Sequence, residues 1–325
     1  SHIFPNFLKK NLVQPKLFFK SIFKEKTYLK SMKKNNEARG FVQKTKILLD
    51  MIKFEHTVFA LPFAYVGAFL AARGVPDWKT NLWILAAMAG ARTVAMGVNR
   101  IVDFHFDAAN PRTSSRPLVS GLVKRTEAWI MVIVASLVYF VACLNLTPLA
   151  FQLSPFILFV LVFYSYTKRF TPLCHLFLGF GIGLTPTAGW IAVQNSVSLV
   201  PMLLSIGVMF WIAGFDILYA CQDVEFDRSH NLHSIPAWLG VKRAFKISSV
   251  FHVIAFISFM AAGFAARLNW IYFLGMAVVF ILLLLQRRVI TPKDLSRMNL
   301  AFFRLNAAIS LILFSTTAIS ILTAG

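Results

Sequence analysis

Forty consecutive residues between Glu127 and Lys168 carry no charge, and forty-six more follow between Arg169 and Asp216. Two shorter charge-free runs lie between Lys246 and Arg267 and between Arg267 and Arg287. A helix crosses the hydrocarbon core of a bilayer with roughly 20 apolar residues. Each of the first two runs therefore holds a pair of crossings joined by a short turn. Some 58% of the chain is hydrophobic, and nine spans can be placed along it, at about 55–72, 80–98, 127–144, 148–165, 173–193, 200–220, 244–266, 269–286 and 303–323. Breaks at Thr147-Pro148, Thr171-Pro172 and Gln194 to Pro201 mark turns between them. The expected fold is an all-α integral membrane protein with nine transmembrane helices around a central cavity.

The basic residues orient it. With the N-terminus inside, the inner segments carry 29 of the 33 Lys and Arg, the outer connections carry three (Arg73, Lys79, Arg267), and Arg92 lies within a span. That asymmetry is the positive-inside pattern. It places both ends of the chemistry described below on the cytoplasmic side, in a bacterial inner membrane or, alternatively, an organelle inner membrane. The net charge of +20 is then accounted for by topology signals and contacts with anionic membrane lipid, with no nucleic acid required.

Against this apolar background the acids stand out. The chain has 13 acidic residues, and five are aspartates in two clusters at the ends of apolar runs. The first reads Asn99-Arg-Ile-Val-Asp103-Phe-His-Phe-Asp107, the second Asp216-Ile-Leu-Tyr219-Ala-Cys-Gln-Asp223-Val-Glu-Phe-Asp227. On a helix the spacings i, i+4, i+8 and i, i+7, i+11 keep each set on one face. Carboxylates so grouped repel unless a cation lies between them. Several hard oxygen ligands suit Mg²⁺, which completes its shell with water and substrate phosphates. Acids at membrane depth point to a functional site, here one for a Mg²⁺-diphosphate.

Arg112 and Arg116 follow the first cluster, in Asn-Pro-Arg112-Thr-Ser-Ser-Arg116-Pro-Leu-Val-Ser-Gly. Guanidinium forks beside a metal-bound diphosphate can neutralise its oxygens bidentately. Tyr164-Ser-Tyr166-Thr-Lys168-Arg169 closes the fourth span on the same side, where Lys168 and Arg169 serve equally well as plain helix-end anchors. Arg92 sits seven residues before Asn99, on the same face and two turns deeper. An arginine at that depth costs a few kcal/mol even on lenient scales. It suggests an anionic substrate group such as a carboxylate, the bland alternative being an ion pair with one of the aspartates. Cys143, Cys174 and Cys221 lie scattered in apolar runs and read as small core residues. Residues 1–40 are Lys- and Phe-rich without a long apolar run, and Met32 opens what resembles a natural N-terminus. They are expected to be a basic extension without a part in catalysis, with a targeting segment or an interfacial arm as alternatives, while 41–325 form the membrane domain.

The order Asn-x3-Asp-x3-Asp, Arg-Pro-Leu-x-Ser-Gly, Tyr-x3-Lys-Arg, Asp-x6-Asp-x3-Asp resembles the UbiA-type intramembrane aromatic prenyltransferases over roughly residues 41–325. The resemblance implies Mg²⁺-dependent transfer of a polyprenyl group from polyprenyl diphosphate to an aromatic acid. It implies that Asn99, Asp103, Asp107, Asp223 and Asp227 hold Mg²⁺-diphosphate. Arg112, Arg116 and Lys168 then contact phosphate oxygens, Arg92 faces the aromatic acceptor, and Asp216 lies near the reacting ring. Tyr164, Arg169 and Tyr219, from the same motifs, complete the substrate-binding set, with Asp216, Asp103 and Asp223 as the catalytic residues. The departing diphosphate leaves an allylic cation, the electron-rich ring attacks it, and a base removes the ring proton; Asp216 is either that base or a group that orients the phenol. The second cluster and the following His233-Ser-Ile-Pro resemble the branch acting on 4-hydroxybenzoate in ubiquinone biosynthesis and its relatives acting on dihydroxynaphthoates in menaquinone biosynthesis. The former is the expected acceptor and the latter the alternative.

Other classes fit less well. A secondary transporter would more typically show inverted repeats and broken helices at mid-membrane. A soluble isoprenyl diphosphate synthase shares Asp-rich helices, but those are amphipathic. His105, His230 and His233 have no converging His/Cys ligand set for zinc.

Overall fold

The computed structural model describes residues 40–53, 57–298 and 300–323. Apart from Gly40, the expected N-terminal extension lies outside the described residues. The first helix, α1, covers Phe41–Met51. Then follow α2 (Thr57–Ala72), α3 (Trp78–Val102), α4 (Phe104–Ala109), α5 (Arg125–Leu144) and α6 (Pro148–Thr167). Next come α7 (Cys174–Gly183), α8 (Thr185–Gln194), α9 (Leu199–Ala220), α10 (Val224–Ser229) and α11 (Ile235–Leu239). The chain closes with α12 (Val241–Ala265), α13 (Trp270–Val289) and α14 (Asn306–Leu322), the last preceded by a π-helical turn over Leu300–Leu305.

Helix starts follow local chemistry. Asp77 caps α3 by accepting from the amides of Lys79 and Thr80 at 2.9 and 3.1 Å. Thr147 caps α6 by accepting from the Ala150 amide at 3.2 Å, with Pro148 in the first turn, where its missing N–H costs nothing. Among the described residues eight helical segments are long and apolar enough to cross a membrane. The first of the nine expected spans is the 16-residue helix Thr57–Ala72, shorter than the usual crossing length. The fifth is two helices, α7 and α8, broken at Leu184. Pro186 lacks the amide that would continue the ladder, and the Thr185 hydroxyl donates to the Ile182 carbonyl at 2.8 Å instead.

The helices pack neighbour to neighbour in a closed order: α3 on α5 and α6, α6 on α7, α7 on α9, α9 on α12, then α13, α14 and back to α2. Phe63 of α2 meets Trp211 of α9 edge-on at 5.3 Å and Phe259 of α12 stacked at 6.4 Å, joining three helices in one core. The opposite faces are apolar and bare. On α5, Ile130, Ile133, Leu137, Val141 and Leu144 are all exposed and recur at helical spacing. Such a stripe is a liability in water and neutral against lipid tails. The protein is a multi-pass, all-helical membrane protein.

Candidate active site

Helix α3 ends at Asp103, whose backbone leaves the helical region (φ −87°, ψ 7°), and α4 restarts at Phe104. The second cluster breaks likewise, through a 3₁₀ turn over Cys221–Asp223 between α9 and α10. Neither motif is thus one continuous helix face. The breaks turn each later carboxylate inward, so Asp107, Asp223 and Asp227 are buried.

Both clusters open into one polar cavity of about 190 Å³. Asn99, Asp103, Asp107, Arg112, Arg116, Tyr164, Lys168, Arg169, Asp216, Tyr219, Asp223 and Asp227 all line it. Residues separated by more than a hundred positions meet there through their side chains. Arg112 grips Asp223 bidentately, Nε to Oδ1 at 2.9 Å and an Nη to Oδ2 at 2.6 Å, and donates to the Tyr219 hydroxyl at 3.0 Å. Arg116 donates to both Asp107 oxygens at 2.6 Å. The Lys168 ammonium lies 2.7 Å from Asp227 Oδ1, an ion pair rather than an aligned hydrogen bond, and the Ser234 hydroxyl donates to Oδ2 at 2.9 Å. Burial would lower the Lys168 pKa, but the Asp227 charge outweighs it and holds the ammonium above its usual range. Arg169 is the loosest partner, 3.5 Å from Asp103. Burial, then the Asp107 charge, pushes the Asp103 carboxyl up to about 6.

Each of these four carboxylates therefore has a basic partner, so side-chain cations stand where the repulsion argument calls for a cation. Among the described residues no three His, Cys, Asp or Glu converge as a ready-made metal centre. The donors present are all oxygens, and Mg²⁺ is typically bound by one or two carboxylates together with substrate phosphates. The site fits an ion that arrives with a diphosphate.

Arg92 lies elsewhere. It lines a second cavity of about 150 Å³, walled by alanines, leucines and other apolar side chains of α2, α3 and α5 to α8. One of its guanidinium nitrogens donates to the Lys53 carbonyl at 3.3 Å, and its buried Nε has no partner among the described residues. Tyr164 and Leu178 line both cavities and stand between them.

The polar cavity also holds residues outside the expected set. Asn110 donates to Asp223 at 3.1 Å. Buried Arg100 donates to the Met51 carbonyl at 3.2 Å. His175 lies 2.7 Å from Asp216, and Phe106 sits 5.5 Å below the Arg169 guanidinium. Two of these carry a sequence signal. Arg100 is a second arginine at a span end. His175 is the one histidine in the run from Arg169 to Asp216.

The comparisons with known proteins agree with this architecture. The model of the UbiA prenyltransferase family matches residues 60–308. A protein named 4-hydroxybenzoate octaprenyltransferase from Methylobacillus flagellatus is 30% identical over 241 residues, covering 74% of this chain and 81% of the relative. A UbiA homologue from Aeropyrum pernix K1, solved in its apo form, is 37% identical with a TM-score of 0.75, over 82% of this chain and 98% of that one. A UbiA homologue from Archaeoglobus fulgidus, solved with GPP and Mg²⁺, shares the fold at 19% identity and a TM-score of 0.66, over 85% and 99%. With the family model matching residues 60–308 and a relative 30% identical over 81% of its own length, the protein belongs to the UbiA prenyltransferase family and is a prenyltransferase.

Proposed function

We propose that the protein transfers a polyprenyl group from polyprenyl diphosphate to an aromatic acid, 4-hydroxybenzoate, at the cytoplasmic side of a bacterial inner membrane. One observation carries the acceptor class. In an apolar cavity adjoining the acid-rich one, Arg92 holds a buried Nε without a partner among the described residues. A buried polar group left unsatisfied costs about 1–3 kcal/mol, more if charged. An acceptor carboxylate on Arg92, with its ring among the alanines beside Tyr164, would relieve that cost.

The polar cavity suits the donor's diphosphate. Arg112, Arg116 and Lys168 would turn from their carboxylates to phosphate oxygens, leaving Asp223, Asp107 and Asp227 free. Together with Asn99 and Asp103 these would hold Mg²⁺, which when bound neutralises charge developing on the leaving diphosphate. Arg169 and Tyr219 complete the rim, and Tyr164 separates the diphosphate from the acceptor. Asp216 faces the same cavity with its side chain 25% exposed and takes the ring proton. The apolar walls keep out water that would quench an allylic cation. The relatives named 4-hydroxybenzoate octaprenyltransferase support this acceptor. The A. fulgidus homologue with GPP and Mg²⁺ supports a prenyl diphosphate donor.

The test is mass spectrometry of products from membranes containing the protein, offered a polyprenyl diphosphate with 4-hydroxybenzoate and a dihydroxynaphthoate side by side. Prenylated hydroxybenzoate is expected. Exclusive prenylation of the naphthoate would overturn the acceptor assigned here and place the enzyme in menaquinone biosynthesis.

A further inference from the structure

His175 is 2% exposed, in the first turn of α7, inside an apolar run. A polar ring buried there needs partners for both nitrogens, and it has them. Nδ1 lies 2.7 Å from Asp216 Oδ2. On the other side, the backbone amide of Ile235 donates to Nε2 at 3.3 Å. A backbone N–H can only donate, so Nε2 is the acceptor and carries no proton. The proton of the neutral ring is then on Nδ1, pointing at the Asp216 carboxylate. With both nitrogens committed, the imidazole has no lone pair to offer a substrate.

We propose that His175 is a positioning residue for prenyl transfer: its Nδ1–H fixes Asp216 Oδ2 and leaves Oδ1 to face the polar cavity. The inference rests on the role given to Asp216 above. In the step it serves, the C–O bond of the prenyl donor breaks with its electron pair leaving on the diphosphate. A π pair of the acceptor ring forms the new C–C bond, and the proton on that ring carbon passes to Asp216 Oδ1. Among the described residues no other side chain hydrogen-bonds Asp216, so His175 alone sets which oxygen is available. A 2.7 Å N–H···O⁻ contact is at the short, charge-assisted end of the range.

The segment that holds His175 also reaches the other end of the cavity. The His233 amide donates to the Lys168 carbonyl at 2.7 Å, and the Ser234 hydroxyl donates to Asp227 at 2.9 Å. Ile235 follows directly with its amide on His175. Three consecutive residues thus tie the diphosphate end of the cavity to the acceptor end.

The experiment is steady-state kinetics of the purified full chain in detergent, with Mg²⁺, a polyprenyl diphosphate and 4-hydroxybenzoate. The variants are His175→Ala, His175→Asn, His175→Gln and Asp216→Asn. Losing a hydrogen bond to a charged group corresponds to about a 10- to 100-fold change. His175→Ala should lower kcat by that factor, with the donor KM within about twofold of wild type. An asparagine amide sits where Nδ1–H was and should restore most of kcat, whereas the longer glutamine should not. Asp216→Asn should lose at least as much as His175→Ala. Full kcat in His175→Ala, or equal activity of the Asn and Gln variants, would overturn the inference. The Asn and Gln comparison decides it if the alanine variant does not fold. Should Asp216→Asn itself remain fully active, the base assigned to the reaction fails, whatever the His175 variants do.

Discussion

Arg92 and Asp223 are both ionic side chains in this bundle, and their surroundings differ. Asp223 is buried but held by Arg112 and Asn110, whereas among the described residues Arg92 has a single long hydrogen bond, to a backbone carbonyl. Arg92→Ala should therefore chiefly raise the acceptor KM, by roughly ten- to a hundred-fold, with a smaller effect on the donor. Arg92→Lys should recover little, because a point charge does not match a carboxylate as the planar fork does. A ring without the carboxylate should discriminate less between wild type and variant. If donor KM changes instead, Arg92 belongs to the diphosphate site. Asp103→Ala and Asp223→Ala should each reduce turnover by orders of magnitude in protein that remains monodisperse in detergent. Chelation should do the same, and added Mg²⁺ should restore activity. Full activity after chelation would sink the metal assignment. Most cavity-lining residues were legible because an acid or arginine in an apolar chain is conspicuous by its cost. His175 gave only the faint signal of a lone histidine in a span, a residue that most often packs as core. Its pairing with Asp216 depends on α7 meeting α9, a contact no local pattern encodes.

At the scale of elements, spans were legible because lipid imposes one requirement, a long apolar stretch, on each of them. Breaks within and after them were harder to place, since their cause is partly tertiary. The α7–α8 break did have a local sign in Pro186. Its use becomes clear from the crossing of α8 over α2: a Cβ on Gly189 would run into the Ala64 carbonyl, and one on Gly67 into that of Pro186. The two backbones touch through paired glycines, the close approach that small residues permit in membranes. Because Ala64, Ala188 and Gly189 also line the apolar cavity, widening this crossing should deform the acceptor side. Gly189→Leu should lower the thermal midpoint in detergent by the equivalent of about 1–3 kcal/mol of overpacking and reduce activity. Gly74→Leu is the control, since a Cβ there meets nothing closer than 4.0 Å. Equal midpoints for the two variants would show that α2 and α8 can separate without cost.

For the whole molecule, the decisive question is whether both acidic clusters face the same compartment. They line one cavity, and a shared cavity demands a shared side. The basic residues add the direction: 29 of 33 Lys and Arg fall on segments assigned to the inside, and such residues resist translocation. Exposed positions allow both statements to be checked. Ser114 follows the first cluster, His230 follows the second, and Ser196 lies in the turn between α8 and α9; all three are exposed. The native cysteines Cys143, Cys174 and Cys221 are buried and should contribute little background to a membrane-impermeant thiol reagent. Ser114→Cys and His230→Cys should be labelled in inside-out vesicles and protected in right-side-out ones, and Ser196→Cys should do the reverse. Labelling of 114 and 230 from opposite faces would break the single-site reading outright. Labelling of all three with the sides exchanged would keep the site and invert its orientation. The donor diphosphate would then have to be supplied from outside, against the charge distribution of the entire chain.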